Sequence, residues 1–214
     1  MSDESASTQA GNAKPAASVD WPADIDPQSG FRLPMLRRED LDEEGQRRYD
    51  NAARGGNIAG LQGPTAIGLY SPKTVGPRDI LTRYLRHAAG LGPRVREIAL
   101  LITSRSMDNQ FEWTAHEPEA IKAGVPQNVI DVIKLHKSTR GLDPIDAVVI
   151  DLGRAVWKDH KVSPELFARA KNIFGPNKLV DLVLLMGSHA TSGALLATFG
   201  MQLHRGDGPR LPIP

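Results

Sequence analysis

The sequence predicts an all-α fold, and three observations carry that expectation. Apolar residues recur at helical spacing in segment after segment, proline or a capping residue opens most of these segments, and the strict alternation of a half-buried strand is nearly absent. With 214 residues, 40% of them hydrophobic and 24% charged, the chain has room for one helical domain around a real core. Short connections between so many helices favour antiparallel packing of neighbours.

In chain order, residues 1–22 are Ala, Ser, Asp, Asn and Pro with almost nothing to bury, which predicts a disordered tail with order beginning near Trp21. A single helical domain is expected over 23–205 and an extension rich in Gly and Pro over 206–214. Ser29 to Leu36 lacks periodicity and reads as an extended arm across the body or a neighbouring subunit. Arg38 to Ala53 reads as an amphipathic helix with an acidic start, stopped by Gly55-Gly56. The loop Gly55 to Gly63 is an entry loop or a connector; it lacks Gly-Lys-Ser/Thr and follows a helix, so it is not a phosphate loop. Pro64 to Tyr70 predicts a short helix ended by Ser71-Pro72, and Arg78 to Ala89 another, with Ile80, Leu81, Tyr84, Leu85 and Ala88 on its apolar side. Val95 to Met107 follows, then a helix capped by Asp108 that Pro118 should kink or restart before Gly124. Pro126 to His136, Pro144 to Lys158, Pro164 to Phe174 and Asn177 to His204 repeat the same grammar. In the last of these, Gly187, Ser188, Ala190 and Ser192 would permit a close helix approach.

Composition excludes several functions. Lys and Arg number 26 against 25 Asp and Glu, a formal net charge of +1, so no overall field draws in nucleic acid. The chain has no cysteine, which removes disulfides, zinc–thiolate sites, iron–sulfur ligation and thiol nucleophiles. The opening residues lack the basic and apolar regions of a secretory signal, and no stretch reads as the ~18 uncharged apolar residues of a spanning helix. These features predict a cytoplasmic protein with no membrane partner.

The densest set of unusual residues runs from Arg94 to Gly124. On a helix, Asn109, Glu112 and His116 fall at i, i+3 and i+7 on one face, flanked by Trp113. Glu97 interrupts an apolar run and must either face water or find a partner such as His116 or an arginine. The bland alternative is a surface Glu112/His116 pair worth a few tenths of a kcal/mol. Together with His189 the pair could also ligate a metal; no second such motif supports this, so the sequence predicts none. His87, His136, His160 and His204 sit near predicted helix ends and are assigned no chemistry.

The string RVREIALLITSRSMDNQFEWTAHEPEAIKAGVP resembles the core block of the carboxymuconolactone decarboxylase family, which includes the alkylhydroperoxidase D branch. RLPMLRREDLDEEGQRRYD and the long C-terminal helix are also similar to family members, extending the resemblance over most of 30–204. In the peroxidase branch a glutamate, a Cys-x-x-Cys pair and a histidine carry the chemistry; in register these positions hold Glu97, Asn109, Glu112 and His116. The acid and the base are retained and both sulfurs are replaced, so thiol peroxidase chemistry fails at the reacting atom.

The resemblance therefore implies an alkylhydroperoxidase D-like helical bundle and the decarboxylase side of the family. That is a cofactor-free lyase acting on a small carboxylated lactone or related ring compound. His116 would act as general acid or carbonyl donor, with Glu112 or Glu97 orienting it. Arg96 or Arg105 would pair with substrate carboxylates, Trp113 would wall the pocket, and Asn109 and His189 would line it. Arg96 and Arg105 lie at nearly opposite helical azimuths. The family also implies a homo-oligomer, dimer, trimer or hexamer, with the N-terminal arm and C-terminal helix as interface elements. The competing expectation is a non-catalytic binding or assembly module on the same scaffold.

Overall fold

The computed structural model describes residues 21–54 and 61–213; the tail over 1–20 and most of the loop Gly55 to Gly63 lie outside these residues. Among the described residues every regular element is helical. A 3-10 turn at Arg38–Asp40 precedes α1, Glu43–Ala53, so the helix expected from Arg38 begins only where the Asp42 carboxylate accepts from the Gly45 N–H. Next comes α2, Gly63–Gly68. Ser71-Pro72 does more than end it, because Pro72 opens α3, Pro72–Arg83, six residues earlier than periodicity suggests. A π-helical turn, Tyr84–Ala88, continues α3, and α4, Pro93–Ser106, follows two glycines at positive φ, Gly90 and Gly92.

The next helix, α5, spans Gln110–Lys122 without interruption at Pro118. Its cap is Asn109, whose side-chain oxygen accepts from the Glu112 N–H; Asp108, expected in that role, sits at φ 47 with its carboxylate on Arg105. Then come α6, Gln127–Lys134; α7, Pro144–Arg154, with a π-helical turn at Ala155–Asp159; and α8, Pro164–Thr198, broken at Gly175 with φ 71. The last helix stops at Thr198, short of His204. There Gly200 turns left-handed, its N–H reaching the Ala197 carbonyl while Met201 N–H reaches that of Leu196 at 2.9 Å, which closes the C-terminus.

The core is built around α4. Ile98, Ala99, Leu100, Leu101 and Ile102 are fully buried, and α4 packs against α5, α7 and α8. Gly153 on α7 lets α4 come that close, since a Cβ there would lie 2.7 Å from Ile102 Cγ2. A smaller cluster, Phe31, Ala66, Ile67, Phe111 and Leu196, fastens the N-terminal arm. The arm lies on the body of its own chain: Arg32 N–H donates to the Phe199 carbonyl and Gln202 N–H to that of Gly30, both at 2.8 Å. The C-terminal extension is held too, because Gln110 Nε2 donates to the Leu211 carbonyl at 2.6 Å and Leu211 is buried.

By length and composition α8 is apolar enough to cross a membrane, and 39% of its most apolar window is buried. Leu182, Leu185 and Met186 face the core, while Val180, Val183 and Leu184 are exposed. Beside them, Tyr84 Oη donates to Asp181 Oδ2 at 3.0 Å, which brings the exposed side chains of Ile80, Leu81 and Tyr84 toward the same face.

Candidate active site

Two neighbouring core helices supply the centre of the site. Glu97 stands in the second turn of α4, inside its most buried stretch, and α5 carries Glu112 and His116 one turn apart. Trp113, fully buried, wedges α5 into the core and fixes the direction of both neighbours. His189 enters from α8. All four polar side chains are buried.

The His116 Nδ1–H donates to Glu97 Oε2 at 2.9 Å, and the other Glu97 oxygen accepts from Arg96 Nε at 3.0 Å. Burial pushes the Glu97 carboxyl up, but the hydrogen bonds and positive charge of His116 and Arg96 outweigh it and hold the group below its ordinary value. Glu97 is therefore the carboxylate that orients the ring. Glu112 is the opposite case. Burial raises its carboxyl above the ordinary value against the attraction of His116, Arg86 and Arg78. Its nearest nitrogens are His116 Nε2 at 3.6 Å and His189 Nε2 at 3.8 Å, both beyond hydrogen-bond length. Two carboxylates thus flank one imidazole, one suited to stay ionised and one to keep a proton.

His116 and Glu97 lie in the wall of a cleft of about 460 Å³. Five arginines also line it: Arg48, Arg78, Arg83, Arg86 and Arg96. Two of these are engaged, Arg48 by Glu44 and Asp79, and Arg96 by Glu97. Arg86 is the least expected. It is partly buried, desolvation lowers its pKa against the pull of Glu112 and Glu97, and its Nε is sealed from solvent with no hydrogen-bond partner among the described residues.

The other residues singled out from the sequence are placed as follows. Arg96 reaches the cleft; Arg105 does not, since it is spent on Asp108 and on the Lys134 carbonyl at 2.9 Å. The Asn109 side chain caps α5 and donates to the Gly193 carbonyl at 3.3 Å. Trp113 is sealed in the core behind the site, under Lys134 Nζ, and does not wall the cleft. His189 lies in the same interior layer, with Nε2 2.9 Å from Ser104 Oγ and its ring edge-on to His116. The close approach of α8 falls at Gly193, where a Cβ would meet Met107 Sδ at 2.8 Å; Gly187 faces open space.

Burial, then the charges of His116 and Arg86, hold the His189 pKa well below 6.5. Below pH 6.5 the unfolded chain binds a proton that native His189 refuses, so the stability present above that pH is lost as pH falls, by up to about 1.4 kcal/mol per pH unit. Glu112 works in the other sense, because its raised pKa makes the native state bind the extra proton above pH 4.5. His189→Gln removes only the first effect. In urea melts at about pH 7.5 and about pH 5.5, the stability difference between wild type and variant should shift by about 1 kcal/mol toward the variant at the lower pH. A constant difference would mean that His189 titrates normally in the fold.

No protein-family profile and no curated protein matches the chain. Among solved structures, it is similar to an uncharacterized peroxidase-related protein from Ralstonia eutropha JMP134, described as an alkylhydroperoxidase AhpD core. That similarity has a TM-score of 0.67 at 17% sequence identity, covering 82% of this chain and 93% of the other. The fold is thus the all-α, AhpD-like fold that the Arg94 to Pro126 block leads one to expect.

Proposed function

We propose that the chain is a lyase resembling gamma-carboxymuconolactone decarboxylase, acting on a small carboxylated lactone or related ring compound by acid–base chemistry at Glu97 and His116. One observation carries this reading: a buried imidazole, held by an ionised carboxylate, lies in the wall of an arginine-lined cleft. Arginine forks suit carboxylates, and Arg86, partly buried with a sealed Nε that has no partner among the described residues, has the strongest call on an anion. In such a substrate, loss of carbon dioxide pushes the bonding pair through the conjugated alkene into the lactone carbonyl. The dienolate oxygen is stabilised by cationic hydrogen-bond donors, and a proton returns to carbon. His116 delivers that proton, Glu97 fixes its ring, and Glu112, 3.6 Å from His116 Nε2, resupplies it once that gap closes. Peroxide reduction by thiols is not available to a chain without cysteine.

The test is carbon dioxide release from gamma-carboxymuconolactone by chelator-treated protein. Arg86→Met should weaken binding of the carboxylate by about 10- to 100-fold, the weight of a lost charged hydrogen bond, as titration calorimetry would show. Saturable binding without turnover would support a binding module instead, and binding indifferent to Arg86 would remove the cleft from either reading.

The exposed face formed by Ile80, Leu81, Tyr84, Val180, Val183 and Leu184 supports a homo-oligomer closed over those side chains. Sedimentation velocity should give a species larger than 23.2 kDa, and Val180→Glu should shift it toward the single chain. A wild-type monomer would leave that face without this role.

A further inference from the structure

We infer that Glu112, His116 and His189 form a binding site for one divalent first-row transition ion, of the zinc or iron(II) type. This goes beyond the acid–base reading and does not depend on it: with an ion on Nε2 the His116 ring has no proton to deliver, so the two describe the metal-loaded and the metal-free chain. The three side chains offer one carboxylate oxygen and two imidazole nitrogens that all lie within 4.8 Å of one another, and all three are buried. Two nitrogens and one oxygen from His, His and a carboxylate are the donor set such ions take.

The spacing is informative. Bonds of about 2.0–2.1 Å at tetrahedral angles place ligand atoms about 3.3–3.4 Å apart. Glu112 Oε2 stands 3.6 Å from His116 Nε2 and 3.8 Å from His189 Nε2. Both separations are too long for hydrogen bonds and need a few tenths of an ångström of closure around an ion, while the full set, spread within 4.8 Å, would have to draw together by up to about 1.4 Å. The Glu112 side chain is 8% exposed, and among the described residues its carboxylate has no hydrogen-bond donor. A buried acid left between two imidazoles with no donor of its own can exchange its proton for a metal cation.

The surroundings fit as well. His116 donates Nδ1–H to Glu97, which turns the Nε2 lone pair toward Glu112; this is the outer carboxylate that a metal-bound histidine commonly carries. His189 must present Nε2 with its ring proton on Nδ1. That nitrogen has no partner among the described residues to oppose the proton, and an ion on Nε2 would take the place of its 2.9 Å contact with Ser104 Oγ, whose hydroxyl keeps its hydrogen on the Leu100 carbonyl at 2.9 Å. Glu97 and Glu112 together balance the charge of a divalent ion. Three protein ligands leave a coordination position open, and His116, which also lines the cleft, joins the ion to it.

Chelator-stripped protein titrated with Co2+ should develop the visible d–d absorption of a low-coordinate site, saturating at about one equivalent per chain, and Zn2+ should bleach it by competition. Glu112→Gln and His189→Gln should each lose the band with helical circular dichroism retained, and Glu97→Gln should keep it with about 10- to 100-fold weaker binding. No band in the wild type, or a band that survives both ligand substitutions, overturns the site. Turnover by stripped protein is a separate result, bearing on the proton relay alone.

Discussion

Replacing Trp113 with alanine should cost about 3–5 kcal/mol of folding stability, the range for emptying a fully buried large aromatic site. For a chain of this length that lowers Tm by roughly 6–20 °C. The indole belongs to the main core with Ile98, Leu101 and Ile130, where it is the largest side chain that α5 contributes, beside the polar Glu112 and His116. Trp113→Phe should cost much less, about 1–2 kcal/mol. The indole Nε1 is buried with no hydrogen-bond partner among the described residues, so removing it sacrifices no bond and offsets part of the lost contact. Chemical denaturation of the two variants measures both numbers. A loss below about 1 kcal/mol for alanine would mean that α5 is not anchored through this side chain.

How much of this could be read beforehand depended on whether a signal was local. Helix starts marked by proline, at Pro144 and Pro164, are fixed by a residue whose φ suits the first turn, and the chain obeys them, whereas Pro72 and Pro93 open helices that periodicity starts only at Arg78 and Val95. The end of α8 is also local, yet it hid in plain sight: apolar residues continue to Leu203, and only Gly200 marks the turn. The choice between Asp108 and Asn109 as cap was degenerate, since either side chain can accept the hydrogen bond; Arg105 took Asp108.

The site divides the same way. Glu97, Glu112 and His116 were legible because a carboxylate in an apolar run and a Glu/His pair one turn apart both demand partners; His116 supplies that of Glu97, while Glu112 stands 3.6 Å from its other nitrogen. Arg86 was not. It follows Leu85 in an amphipathic segment where an arginine ordinarily faces water, yet its Nε is sealed from solvent within the π-helical turn Tyr84–Ala88. No composition or spacing rule announces such a turn. Arg105 was assigned to substrate because arginines bind carboxylates; nothing in the sequence reveals that the Lys134 carbonyl and Asp108 already occupy it.

His116→Gln, measured on chelator-treated protein so that no ion contributes, should lower kcat for the carboxylated lactone by about 10²- to 10⁴-fold, the span attributed to a positioned proton donor. Glutamine fills similar space and can still offer Glu97 an N–H, but it has no proton to give at carbon. The guanidinium groups of Arg78, Arg83 and Arg86 remain in the cleft, so substrate affinity should change little while kcat collapses. That pattern separates the two tasks: Arg86→Met should act on binding, His116→Gln on the chemical step. If kcat survives in the glutamine variant, proton delivery belongs elsewhere in the cleft. If affinity falls with it, the imidazole is part of the anion site, and its bond to Glu97 serves to hold a cation instead of a proton carrier.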